Sequence, residues 1–422
     1  MTERNRELLS WLDSGCSPYH TVAGAAKYLK NEGFSKLELS SRFEVQKGGK
    51  YFVESGTFLA AFTVGQDADY FRIAAAHTDW PCMRIKPHPE QVCGGLCKLS
   101  AEAYGGAILN SWFDRPLSLA GIAMLQTDDP MQPEMRLVSW DTPLMTIPNL
   151  AIHMNREVNK GVAVKPNVDM LPVCRSVQSG WGKDGYLLGK LADRLAVKEE
   201  QILSFELYAY CADKAEVIGF EKDLISSPRL DNLTSVHACL TGLTAATGKG
   251  INVAVLFDNE EIGSNTHRGG DGNLLPLVLE KVSIALGMDR TAYLNACVKG
   301  LLLSCDVAHG VHPNHAEYAD IANGPVLGGG VALKRSPRYA SEAETCAVIE
   351  GLCRENEIPL QSYMNRADLP GGSTIGTMTS ALLAMPAVDV GVPILAMHSA
   401  RELMGAKDQE ALCRLCEAFF DK

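Results

Sequence analysis

Residues that can hold a metal ion or move a proton directly follow apolar segments at several points of the sequence. His77 and Asp79 follow one such segment, and because alternate residues of a strand share a face, their side chains are expected to point the same way. Glu260 and Glu261 follow another segment. Adjacent carboxylates repel each other unless a cation compensates or the side chains diverge, so this pair favours a functional site. Further residues of this kind are Asp306, His309, His312 and His398.

Asp231 allows two interpretations. It stands just before an apolar helical pattern that begins at Leu233, where aspartate commonly caps a helix N-terminus. The alternative is that Asp231 joins the polar strand ends in one site. Ligand sites of open α/β sheets lie at the carboxyl ends of the strands, and four apolar strands here end in His, Asp or Glu.

The types of these side chains indicate the chemistry of such a site. Nitrogen and oxygen ligands without thiolate suit Zn²⁺, with Co²⁺ and Mn²⁺ as alternatives. Five protein ligands are too many for one catalytic zinc ion, but they fit two divalent ions that share a bridging carboxylate and a water molecule. Glu260 is not needed as a ligand and would be the general base for that water. The predicted ligands are His77, Asp231, Glu261, Asp306 and His398.

Helix and strand patterns alternate along the chain, which is typical of an α/β fold. The helix near residues 21–32 is expected to end at Gly33, a residue common just after helices. Further helices are predicted at 233–247, 274–286, 342–355 and 409–420, and strands at 71–76, 251–257, 300–305 and 388–397, with two more between 51 and 64.

Residues 89–205 have a different character. They are richer in turn residues and short alternating runs, and the segments on both sides carry predicted ligands. A β-rich domain inserted into an α/β domain explains this better than two consecutive domains. The sequence therefore predicts a discontinuous catalytic domain of residues 1–88 and 206–422 that is interrupted by an inserted domain of residues 89–205.

Composition excludes several classes of protein. The chain has 422 residues and a formal net charge of −11, from 39 basic and 50 acidic residues, without a long basic run, which argues against nucleic-acid binding. It lacks an apolar segment long enough to span a membrane. The cysteine count is odd at 13, and the sequence begins without a secretory pattern, so we expect a reducing, cytoplasmic location. Cys413 and Cys416 lie in an amphipathic helix without a second cysteine pair, which favours core packing over zinc binding.

Together, the motifs resemble the M18 family of metallopeptidases, the aspartyl aminopeptidases. Each motif alone is weak, but the combination is specific and covers essentially the whole chain in the family's order. The matching segments are residues 77–79, 147–156, 229–232, 258–264, 306–314, 370–376 and 397–402.

The resemblance implies a role for each predicted site residue. One ion would be bound by His77, Asp231 and Asp306, and the other by Asp231, Glu261 and His398. Glu260 would be the base, and Asp79 would orient His77. The implied fold is an α/β/α dinuclear-zinc exopeptidase domain with an inserted β-rich dimerisation domain.

The resemblance also implies an assembly, a dodecamer built from dimers that encloses the active sites. His153 resembles a residue that the inserted domain contributes to a neighbouring subunit's site, where it would stabilise the oxyanion. His309, His312, Ser373 and Thr374 are expected near the substrate.

The substrates implied by the resemblance are peptides with a free, acidic N-terminal residue. That specificity needs a cation, and the family pattern has a lysine after a Gly-Pro-Val segment. Here Lys334 follows Gly324-Pro-Val326 after a longer, glycine-containing interval. Lys334 is therefore either the specificity cation or a solvated loop lysine. Two alternative functions stay open, a related aminopeptidase for neutral residues and a non-catalytic shell.

Overall fold

A computed structural model describes residues 2–178, 180–247, 249–369 and 371–422. Pro370, the first residue of the motif 370–376, therefore lies outside the described residues. The chain divides into two compact units. The segment 89–205, predicted as an insertion, lies within the second unit. The first unit comprises Met1–Asp79, Ala215–Met397 and Glu402–Lys422, and the second comprises Trp80–Lys214 and His398–Arg401.

The described residues form ten α-helices. All five helices predicted from apolar periodicity are present, with ends that differ from the prediction by at most three residues. The helices are α1 (Glu3–Ser14), α2 (Pro18–Asn31), α3 (Pro166–Asp169), α4 (Tyr186–Leu195), α5 (Leu230–Ala245), α6 (Leu274–Ala285), α7 (Arg290–Val298), α8 (Ala343–Glu355), α9 (Ile375–Leu383) and α10 (Asp408–Phe420).

The described residues also form twenty β-strands, several of them short. The strands are β1 (Ser35–Lys36), β2 (Lys50–Ser55), β3 (Phe58–Val64), β4 (Phe71–His77), β5 (Cys82–Cys93), β6 (Leu96–Tyr104), β7 (Leu117–Leu125), β8 (Glu134–Ser139), β9 (Val173–Ser176), β10 (Ile202–Cys211), β11 (Glu216–Ile218), β12 (Leu224–Ser227), β13 (Ile251–Phe257), β14 (Leu301–Cys305), β15 (Ala308–His309), β16 (Val331–Lys334), β17 (Leu360–Tyr363), β18 (Ala387–Gly391), β19 (Pro393–Leu395) and β20 (Glu402–Gly405).

A mixed nine-stranded sheet forms the centre of the first unit. Its strand order is β1-β2-β3-β13-β4-β14-β18-β16-β17, and the four strands β13, β4, β14 and β18 are mutually parallel. Their carboxyl ends therefore meet at one edge of the sheet. A smaller five-stranded sheet of the same unit has the order β11-β12-β20-β19-β15.

Helices cover both faces of the nine-stranded sheet. Ile73 and Ala75 of β4 belong to a core cluster that includes residues of α6, α7 and α9. Ala74 and Ala76, which point to the other face, are also fully buried. On the sheet, α5 contacts β3, β4 and β13, and it packs against α10. Burial on both faces explains why these strands are continuously apolar, and the result is the predicted α/β/α architecture.

The strand predicted at 388–397 is interrupted. Residues of β18 pair within the nine-stranded sheet, whereas β19 pairs within the five-stranded sheet. The break at Val392 precedes Pro393, which has no N–H to donate to a ladder, so the chain changes sheets there.

The second unit is built on a six-stranded antiparallel sheet with the order β8-β7-β10-β5-β6-β9. It is β-rich, as its short alternating runs predicted. Among the residues that the structure describes, no helix of either unit is long and apolar enough to cross a membrane.

Candidate metal centre

The carboxyl edge of the nine-stranded sheet brings the predicted ligands of the first unit together. His77 is the last residue of β4 and pairs with Phe257, the last residue of β13. The glutamate pair follows Phe257 in a short 3-10 turn, Glu260–Ile262. On the other side of β4, strand β14 ends at Cys305 and is followed directly by Asp306. The sheet thus collects residues that are far apart in the sequence.

The side chains of His77, Asp231 and Asp306 converge on one point. The Nε2 atom of His77 lies 3.4 Å from Oδ1 of Asp231 and 3.5 Å from Oδ1 of Asp306. Ligand atoms bound at 2.0–2.1 Å to a tetrahedral ion are about 3.3–3.4 Å apart, so this spacing suits a shared cation. The donor set of one imidazole and two carboxylates suits the same ions. These residues therefore fit a divalent metal such as zinc.

Asp79 contacts both His77 and the turn that carries the glutamates. Its Oδ1 atom lies 3.3 Å from Nδ1 of His77. Its two carboxylate oxygens also accept the backbone N–H groups of Glu260 and Glu261, each at 3.2 Å. A buried carboxylate next to a ligating histidine fixes the orientation of the ring. Asp79 therefore fixes both the predicted ligand His77 and the turn that carries the glutamates, and sequence reasoning had found only the first of these contacts.

The backbone at Asp231 turns its side chain into the site. Arg229 has a left-handed φ of 63°, and both Asp231 and Asn232 have non-helical angles at the start of α5. The N–H of Asp231 donates to Oε2 of Glu402 at 3.1 Å, and the side chain of Asn232 donates to the carbonyl of Cys305 at 3.0 Å. The side chain of Asp231 thus faces His77 from an irregular helix start, which favours the ligand interpretation over a simple cap. Glu402 is a supporting residue that the sequence did not single out.

The electrostatics of the centre favour a bound cation. Burial disfavours the imidazolium of His77, but the carboxylates of Asp231, Asp306 and Asp79 raise its pKa well above the ordinary value. Burial and the nearby carboxylates raise the pKa of Glu260 to about 8. Burial, followed by Asp231, also raises the pKa of Glu261 well above its ordinary value. The part of these three pKa shifts that comes from neighbouring carboxylates reflects a local excess of negative charge, which a metal ion would relieve.

Lys334 lies inside this site. It is the last residue of β16, its side chain is 2% exposed, and its Nζ atom lies 3.5 Å from Oδ2 of Asp306. It also lies 5.2 Å from the centre of the Tyr339 ring. Burial opposes the charged form of Asp306, but Lys334 and His77 hold the pKa of this carboxyl below its ordinary value. These contacts rule out the alternative of a solvated loop lysine.

The remaining predicted residues of the first unit occupy different environments. His309 and His312 are exposed and line a cleft of about 290 Å³. Ser373 is exposed, whereas Thr374 is buried and its hydroxyl donates to Asp389 at 2.5 Å. The Thr374 side chain is therefore committed to a contact within the protein.

His153 and His398 belong to the second unit. His153 is exposed in a turn segment. His398 has a left-handed φ of 69°, and its Nδ1 atom lies 3.2 Å from the carbonyl of Gly106 in the same unit. A carbonyl contact at one ring nitrogen is the usual way to set the tautomer of a ligating histidine.

The sequence matches the profile of a family described as aminopeptidase I zinc metalloprotease (M18) over residues 11–420. A protein of Clostridium novyi named probable M18 family aminopeptidase 2 is 42% identical in an alignment of 423 positions that covers 98% of each chain.

Solved structures show the same fold. A structure described as a complex of Ape4 and Nbr1 has a TM-score of 0.94 and 31% identity, and the match covers 99% of this chain and 85% of that chain. The mApe1 dodecamer of Saccharomyces cerevisiae has a TM-score of 0.86 at 24% identity, with 99% and 96% of the two chains covered. The profile match over nearly the entire chain, on residues that converge as a zinc site requires, shows that this chain belongs to the M18 family of zinc aminopeptidases.

Proposed function

We propose that this aminopeptidase uses two divalent metal ions and releases acidic N-terminal residues from peptides, with Glu260 as the general base. The observation that carries the proposal is the convergence of His77, Asp231 and Asp306 on one point, next to the half-buried carboxylate of Glu260, which is not needed as a ligand. His77, Asp231 and Asp306 would hold one ion. Asp231, Glu261 and His398 would hold the other.

The mechanism follows from the residues around that point. When bound, the ions would lower the pKa of a water molecule and polarise the scissile carbonyl. Glu260 would accept a proton from the attacking water and pass it to the leaving amine, a role that suits a carboxylate next to the proposed ligands. Asp79 would keep the base in place through the backbone of the turn. A scaffold that only assembles has no use for such a base, which disfavours a non-catalytic shell.

Lys334 supports the acidic preference. A lysine buried among carboxylates is a fixed positive charge, and an Asp or Glu side chain of the substrate could pair with it. The contact between Lys334 and Asp306 also supports the alternative of a preference for neutral N-terminal residues, because the lysine is already paired with a carboxylate of the protein. The Lys334→Met variant should hydrolyse acidic substrates with a kcat/KM about 10-fold to 100-fold lower than that of the wild type. This corresponds to about 1.5–3 kcal/mol, the contribution of a charged hydrogen bond. Leu substrates would lose little.

We further propose that the second unit is a dimerisation domain and that the subunits assemble into a dodecamer. Exposed apolar residues flank His153 in the sequence, with Leu150 60%, Ile152 48% and Met154 76% exposed. Such a cluster on one segment suits a subunit interface. His153 would then reach a neighbouring subunit's site and stabilise the oxyanion.

We also propose a reducing, cytoplasmic location. All 13 cysteines lie among the described residues and are reduced thiols.

Activity assays of the purified protein test the proposed reaction. They use chromogenic Asp, Glu, Leu and Ala substrates, with and without a chelator. We expect hydrolysis that the chelator abolishes and that Zn²⁺, Co²⁺ or Mn²⁺ restores, fastest on Asp or Glu. Activity that is insensitive to the chelator would contradict the metal mechanism. A preference for Leu would contradict only the acidic specificity.

A further inference from the structure

Three buried cysteines from distant parts of the sequence meet in the first unit, and one of them, Cys305, directly precedes Asp306 of the candidate metal centre. Cys239 lies in α5, Cys305 ends β14, and Cys416 lies in α10. Each is fully buried, and each sulfur atom lies within 4.8 Å of the other two. We call Cys239, Cys305 and Cys416 the thiol cluster. The Cys413-x-x-Cys416 motif alone did not indicate it, because the partners of Cys416 come from other elements.

The spacing of the thiol cluster is close to that of a metal site. Sulfur ligands at about 2.3 Å from one ion are about 3.8–4.0 Å apart in tetrahedral or trigonal geometry. Small side-chain rotations would bring sulfurs that are within 4.8 Å of one another to that distance. The backbone of the three residues thus already places the sulfur atoms near ligand spacing.

The close packing of α5 against α10 creates this spacing. Gly242 lies one turn after Cys239 on the same face of α5. A Cβ atom at Gly242 would lie 2.6 Å from the Cβ of Cys416, a distance that real side chains do not adopt. The glycine therefore lets α10 approach until Cys416 reaches Cys239. Every member of the thiol cluster is held by a regular element, which keeps the sulfur positions fixed.

We propose that the thiol cluster is a second metal site, with ligands of its own, that takes one soft, thiophilic cation of the Cu⁺ and Cd²⁺ class. Three sulfur ligands suit such ions, whereas the centre at His77 offers imidazole and carboxylate ligands and no thiolate. Binding involves no oxidation or reduction, since each coordinating thiol releases its proton to solvent and forms a sulfur–metal bond. An ion there would link α5, β14 and α10 and stabilise the folded unit.

The other interpretation is that the three residues are neutral thiols that only fill the core, which is common for buried cysteine. A Cd²⁺ titration of the intact protein in excess Zn²⁺ and a non-thiol reductant distinguishes the two. Cd²⁺ that binds only nitrogen and oxygen gives no thiolate charge-transfer absorbance, so this band reports the cysteines alone.

We expect the band to saturate at one equivalent per chain and the melting temperature to rise with it. Both effects should be lost in Cys416→Ser and kept in Cys174→Ser, which removes a thiol of the second unit. If Cys416→Ser does not fold, Cys239→Ala serves the same comparison. Wild-type protein without the band, a band that survives in a folded thiol-cluster variant, or a band lost in Cys174→Ser would overturn the proposal.

Discussion

Protons and metal ions compete for the negative charge around His77. In the metal-free protein, burial raises the pKa of Glu260 from 4.5 to about 8, and the pKa values of Glu261 and His77 are also raised. Folding without metal therefore takes up protons that the unfolded chain does not hold. Stability is then fully present below the unfolded pKa of each group and is lost as the pH rises toward the folded pKa.

This gives a pH prediction for the metal-free enzyme. Its free energy of unfolding should fall between about pH 5 and about pH 8, by up to about 1.4 kcal/mol per pH unit for each extra proton held. With saturating Zn²⁺ the slope should be much smaller, because the ion replaces those protons. Thermal melts of the chelated and zinc-loaded protein across that range measure the difference. Parallel pH profiles for the two forms would contradict the charge model.

The candidate metal ligands of the first unit were recognisable in the sequence because each follows an apolar strand or starts a helix. It did not find the contacts that fix them. The two N–H groups held by Asp79, the acceptor Glu402 and the pairing of Lys334 with Asp306 all join segments far apart in the chain. Such contacts exist only after the sheet has brought the segments together.

At the scale of elements, Gly391 controls how closely β18 lies against the strand end that carries Asp306. A Cβ atom at Gly391 would lie 1.7 Å from the carbonyl oxygen of Asp306. That oxygen belongs to the backbone and has no room to move, since the Asp306 N–H donates to Val390 at 2.9 Å. The absence of a side chain at 391 thus sets the position of Asp306, a proposed metal ligand.

We predict that Gly391→Ala lowers the free energy of unfolding by about 1–3 kcal/mol, the usual cost of overpacking. Zinc affinity should fall as well, because Asp306 moves. Denaturant unfolding and zinc competition with a chromophoric chelator measure the two effects. The matched control is Gly351→Ala in α8, where a Cβ atom meets nothing within 4 Å. The account would be wrong if Gly391→Ala kept its zinc affinity.

The long periodic helices and the buried apolar strands were predictable, since they carry local signals, whereas half of the ten described helices, among them α1, α7 and α9, were not predicted. Two further differences from the prediction depend on contacts that form only in the folded protein. The 388–397 segment reads as one strand, yet it is divided between two sheets at Pro393. The start of α5 reads as a capped helix, yet Glu402 and Cys305 hold residues Asp231 and Asn232 in non-helical angles.

At the scale of the whole molecule, the proposal places His153 of one subunit in the site of another. This predicts complementation between two defective variants. His153→Ala and Glu260→Gln should each have little activity alone. When they are co-expressed and assembled together, some sites will combine an intact Glu260 with an intact His153 from a neighbour, and activity should return.

The control is a mixture of the same two proteins purified separately and kept from exchanging subunits, which should stay inactive. Light scattering on each sample shows whether the assembly has formed. A co-assembled oligomer without regained activity would refute the subunit-crossing role of His153. A monomer in solution would refute the assembly itself.

The most direct test of the central claim is a comparison of Glu260→Gln with the wild-type enzyme, using zinc content and kcat together. Gln keeps the shape of the side chain but cannot accept a proton. We predict unchanged zinc content and a kcat lower by about 10²-fold to 10⁴-fold, the usual contribution of a general base. Full activity in zinc-loaded Glu260→Gln would contradict the mechanism.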